Sequence, residues 1–160
     1  MIKQADPSAA FGAASPLLSD GQDLATTGSA VRSFLRFNVT GLAAGETVTA
    51  ASLSVRSVPS YGGTSNGPAV WRTSDTTSVT TAESMTWNAG RPGRVGTTAV
   101  GNFGAVGNDA RVSTKVSGVT GNGLASFELA PESTDGLVFL PREDATVGNR
   151  PQLTLTITTG

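Results

Sequence analysis

Arg32-Ser33-Phe34-Leu35-Arg36-Phe37-Asn38-Val39 alternates with a period of two. Leu35, Phe37 and Val39 fall on one face of an extended chain, and Arg32, Phe34, Arg36 and Asn38 on the other. Gly41 and Gly45 then close the strand. The same period returns on both sides. Ala51, Leu53 and Val55 alternate with Ser52, Ser54 and Arg56, and Leu153, Leu155 and Ile157 are expected inward against Thr154, Thr156 and Thr158 outward. Further strands are expected at residues 68–73, 97–100, 111–116, 126–130 and 137–141, with 61–68 a loop because Asn66-Gly67-Pro68 favours turns. Residues 73–84 read as a long polar connection, and Met85-Thr86-Trp87-Asn88 as a short segment apolar enough to dock. Gly101, Gly104 and Gly107 read as turn residues, because no strand-to-helix junction follows to make them a phosphate loop. No stripe of helical period appears.

Short strands about ten residues apart, separated by Gly-rich turns, predict an all-β fold: a β-sandwich of jelly-roll type with two antiparallel sheets. The length of 160 residues fits a single module over residues 1–160, able to bury roughly 70% of its unfolded surface. Composition removes several chemistries. There is no cysteine and no histidine, so disulfides, thiol nucleophiles and imidazole catalysis are absent. The net charge of −1 with 14% charged residues excludes nucleic-acid binding by bulk charge. No apolar run approaches the ~20 residues of a membrane span.

Five stretches stand out in order: Ser15-Pro16-Leu17 through Asp20-Gly21, residues 32–39, residues 48–53, Thr86-Trp87-Asn88 with Arg91-Pro92, and Arg142-Glu143 followed by Asn149-Arg150-Pro151-Gln152-Leu153. Together they resemble a family of bacterial extracellular modules, the DNRLRE domains, grouped as carbohydrate-binding module family 96. The resemblance spans about residues 4 to 158. It implies a jelly-roll module excised from a larger multidomain protein, secreted or at the bacterial cell surface, that binds an acidic, alginate-like polysaccharide and targets an attached domain to it. Two departures stand out. The family opens on a strand for which only Ile2 is available here, so the strand is either carried by Ile2 or missing, which would leave a free sheet edge for self-association. Lys115 stands where the family carries an acid, which removes that ligand from any cation site.

The residues themselves favour binding over catalysis. Glu143 and Asp144 are adjacent and would point to opposite faces of a strand, and a Ser113–Lys115 pair on one face is a common surface pattern. The expectation is a protein that is not an enzyme. Arginine outnumbers lysine nine to two, and its planar fork grips carboxylates through parallel hydrogen bonds. Arg32, Phe34, Arg36 and Asn38 offer charge for a uronate, a ring for stacking and an amide for hydroxyls. Arg72, Arg142 and Lys115 are candidates to join them, and Trp71 and Tyr61 are candidate stacking rings. Phe37, Phe127 and Phe139 have inward parity, and Trp87 is expected to anchor the long connection in the core. Nine aromatics cannot supply a flat platform for crystalline cellulose. A structural calcium ion is the one cofactor considered, with Asp20, Asp23 and Asp6 as its carboxylates. The Asn38-Val39-Thr40 sequon lies inside a strand and is read as coincidence. The rival to a glycan-binding module is a structural or adhesive spacer, or a self-associating domain, of a bacterial surface protein.

Overall fold

The computed structural model describes residues 1–21, 29–74 and 83–160. Its strands are β1 (Ile2–Lys3), β2 (Leu17–Ser19), β3 (Val31–Val39), β4 (Glu46–Arg56), β5 (Ala69–Thr73), β6 (Gly101–Asn102), β7 (Arg111–Val116), β8 (Gly123–Ala130), β9 (Leu137–Phe139) and β10 (Gln152–Thr159), with one 3-10 turn at Val147–Asn149. The long alternating runs become the long strands. Every ladder is antiparallel. A five-stranded sheet runs β1-β3-β8-β5-β6 and a three-stranded sheet β10-β4-β7. Leu35, Val39, Val70, Ala125, Phe127 and Leu129 of the first pack with Leu53, Val55 and Val116 of the second into one buried cluster. Phe37 is half-buried and meets Phe127 edge-to-face, with ring centroids 6.4 Å apart. Full burial of Phe127 and Phe139 contributes about 1.5–3 kcal/mol each.

A two-stranded ladder, β2-β9, joins the two sheets. Asp20, just past β2, bridges to Val31 of β3, while Phe139 of β9 bridges to Ser57 just past β4. This pair was not expected from the sequence at residues 17–19. It is closed by contacts more than a hundred residues apart: Leu17 opposite Phe139 and Ser19 opposite Leu137.

The opening strand is present. Ile2 is fully buried and pairs with Arg32, and Lys3 pairs with Val31, so the alternative in which Ile2 carries the strand holds. Other expectations are corrected. Residues 97–99 are exposed and outside any ladder, and the strand falls at Gly101–Asn102 instead. Gly101 is thereby a strand residue and not a turn: a Cβ there would sit 2.5 Å from the Lys115 carbonyl oxygen, so only glycine lets β6 approach β7 this closely. The segment from Leu137 ends at Phe139. Ile157 is exposed, as are all of residues 156–159, past a register shift at which Thr49 of β4 is left without an opposite residue, although Leu153 and Leu155 do pack against the core.

Candidate functional site

The outer face of the five-stranded sheet is built by register. Phe34 lies opposite Glu128 and Glu128 opposite Trp71, while Arg36 lies opposite Ser126 and Ser126 opposite Thr73. These are two cross-strand rows, one residue pair apart, spanning β3, β8 and β5. The chain that follows β5 returns over this face: Val95 N–H donates to the Arg72 carbonyl and Met85 is buried.

The first row is filled by the protein itself. Glu128 is 3% exposed, and each of its oxygens is engaged by an arginine. Arg32 Nη1 donates to Oε1 at 2.9 Å, and Arg94 Nε donates to Oε2 at 2.7 Å. The same guanidinium groups lie on indole rings. Arg32 is 5.3 Å from the Trp87 centroid, Arg91 is 5.6 Å from that ring, and Arg94 is 4.0 Å from Trp71. The contacts run in the order Arg91, Trp87, Arg32, Glu128, Arg94 and Trp71, each cation meeting a ring and two of them the carboxylate. Trp87 is therefore half-buried between two arginines and not a core residue.

The second row is open. Arg36, Ser126 and Thr73 line a cavity of about 300 Å³ together with Phe34, Asn38 and Met85. Arg36 Nε donates to Ser126 Oγ at 3.3 Å, but its Nη1 is buried without a hydrogen-bond partner. Thr73 is 1% exposed, and its Oγ1 is likewise unpartnered. No ion pair to Arg36 occurs among the described residues. A half-buried guanidinium with one buried nitrogen unpartnered, next to a buried hydroxyl that also lacks a partner, favours an anionic acceptor. Arg142, Glu83 and Glu143 stand at the rim, where Arg142 pairs with both carboxylates. Hydrogen bonding to Glu143 is the main cause that raises the Arg142 pKa above its ordinary value. The Met1 amino group also lies at this cavity and is pushed down to about 6, by burial first and by Lys3 second.

The structure thus gathers four of the expected residues, Phe34, Arg36, Asn38 and Arg142, around one cavity. The guanidinium groups do not form one open surface. Arg32 is held by Glu128 and Trp87. Arg72 is on the inner side of β5, where Nη1 donates to the Ser126 carbonyl at 2.9 Å, Nε to Gly118, and the group lies 5.3 Å over Phe127. Among the described residues its donors reach the carbonyls of Thr73, Gly118, Leu124 and Ser126, which is the work of a packing residue. Trp71 has a face taken by Arg94. Tyr61 is 63% exposed in a loop between β4 and β5, and Lys115 is exposed on β7 of the other sheet, opposite Ser52. Neither lines the cavity. Sequence reasoning missed Thr73 and Ser126: Ser126 lies opposite Arg36 and Thr73 opposite Ser126, a row set by strand register.

Asp20 is buried, Asp6 is exposed, and Asp23 lies outside the described residues. Among the described residues no three carboxylates converge into a set that fits a metal ion. Nor, among them, is any helix long and apolar enough to cross a membrane.

A family model described as carbohydrate-binding module family 96 matches residues 1–157. No curated protein matches the chain.

Proposed function

Because the chain belongs to carbohydrate-binding module family 96, with nearly its whole length matched, we propose that the sugar it binds is acidic and that the Arg36 cavity receives it. The observation that carries this reading is the Arg36 guanidinium, which lacks a counter-ion among the described residues while its Nη1 is buried. A uronate carboxylate supplies the missing acceptor, Phe34 offers an apolar surface to the sugar ring, and Asn38 offers its amide to hydroxyls. The resemblance to secreted modules beside catalytic domains supports an exported protein in which binding keeps an attached domain near an acidic polysaccharide. The gain there is effective concentration, and the module itself cleaves nothing.

Affinity electrophoresis in gels containing alginate, pectin or a neutral glucan tests this. The protein is expected to be retarded in the acidic gels only, less so as salt rises, and Arg36→Met is expected to migrate freely in all three. Retardation by the neutral glucan alone, or equal retardation of Arg36→Met, contradicts the proposal. Binding to no glycan, with dimers on a sizing column, would favour the spacer or self-associating domain instead.

A further inference from the structure

The size of the cavity and the charge at its rim bear on which acidic glycan fits. Resting on the reading above, we infer that the cavity is a pocket for one isolated uronate, held by Arg36 and Thr73 together, and that it selects chains in which the neighbouring sugars are neutral.

Four observations lead there. Arg36 and Thr73 lie on the two strands that flank β8, both opposite Ser126, so they bracket one position on the sheet. With neighbouring strands ~4.8 Å apart, the backbones of Arg36 and Thr73 stand roughly 10 Å apart on either side of Ser126, a gap that the long Arg36 side chain narrows by reaching toward Ser126. Both have a buried polar atom without a partner, and Ser126 Oγ already accepts from Arg36 Nε, which fixes the guanidinium plane. A carboxylate can accept from Arg36 Nη1 through one oxygen and from the Thr73 hydroxyl through the other. The recess, at about 300 Å³, stands at the lower limit of small-ligand sites. That is room for about one sugar unit with its substituents. Among the described residues, the rim carries two carboxylates, Glu83 and Glu143, against one guanidinium, Arg142. A polyuronate passing over it would set its next carboxylate against these acids. A uronate branch on a neutral backbone meets no such repulsion.

Titration calorimetry with three oligosaccharides of equal length tests the inference: a neutral xylo-oligomer carrying one glucuronate branch, an alginate oligomer, and the bare xylo-oligomer. The branched oligomer is expected to bind about tenfold more tightly than the alginate oligomer, and the bare one not at all. Thr73→Val should weaken the branched ligand about tenfold with an unchanged circular dichroism spectrum, and Thr73→Ser should restore it. Glu83→Gln with Glu143→Gln should raise the alginate affinity and so narrow the gap. Tighter binding of alginate, growing with chain length, or indifference to Thr73→Val, overturns the single-uronate pocket while leaving the acidic-glycan reading in place. Failure of every acidic ligand to bind wild type overturns that reading as well.

Discussion

Arg32 and Glu128 form an ion pair on the outer face of the larger sheet, 2.9 Å from Nη1 to Oε1, with the carboxylate almost wholly desolvated and the guanidinium about a third exposed. Arg94 closes the other oxygen. Removing the carboxylate leaves two cations facing each other over a buried site, whereas removing Arg32 leaves Glu128 still paired with Arg94. Glu128→Ala is therefore expected to destabilise the fold by about 2–3 kcal/mol, discounted from fully buried pairs because both arginines reach solvent. Arg32→Ala is expected to lose about half as much. Urea unfolding of both variants checks the order; an equal loss would show that Arg94 does not hold the carboxylate by itself.

Arg72 separates packing from binding. Arg72→Met keeps the volume over Phe127 but removes the donors to Gly118, Leu124 and Ser126 carbonyls. The expected outcome is a loss of about 1–3 kcal/mol in stability with unchanged glycan affinity, read by thermal unfolding and calorimetry on the same sample. A variant that folds as well as wild type yet binds tenfold less would return Arg72 to the ligand.

Ile157, past the register shift in β10, and Leu53, in the core, differ in burial and are expected to behave differently. Ile157→Thr is expected to change stability by less than about 0.5 kcal/mol, because the side chain is exposed. Leu53→Ala, wholly buried opposite Leu153, is expected to cost about 2–5 kcal/mol. A large penalty at Ile157 would mean that the alternation runs unbroken to the end of the strand.

Asp135 ties the loop after β8 to the loop before β5, accepting from both the backbone N–H and the hydroxyl of Ser65. The backbone bond first, and the hydroxyl second, hold its pKa below the ordinary value of 3.8. A depressed carboxyl pKa means that the folded state binds fewer protons, so this clamp is complete above pH 3.8 and is lost as pH falls through the lower folded value. The Ser65 amide resonance is expected to move only at pH values below that point, and in Asp135→Asn to stay fixed throughout.

Alternation made β3, β4 and β10 legible, because each has one face on the core and one outside it. The β2-β9 ladder was not, since three-residue strands have too few alternations to register and their pairing is a long-range event. At the site, Phe34, Arg36 and Asn38 followed from parity. Trp71 and Arg72 could have been separated in the same way, because adjacent strand residues face opposite sides. Glu128 was hidden for a different reason. Its outward parity predicts solvent, and only the returning segment with Arg94 and Trp87 turns that outer position into a buried anion. Thr73 was hidden because its importance comes from a hydroxyl left without a partner, which no sequence pattern reveals.

Backbone and guanidinium NMR spectra of the labelled protein, titrated with a uronate-bearing oligosaccharide, report whether Arg36 and its row receive the anionic sugar. Shifts are expected to be confined to Arg36 Nε–H and the amides of Phe34, Thr73 and Ser126, saturating together, with Lys115 and Tyr61 unmoved. Shifts gathered around Lys115 or Tyr61, with Arg36 silent at saturation, would contradict it.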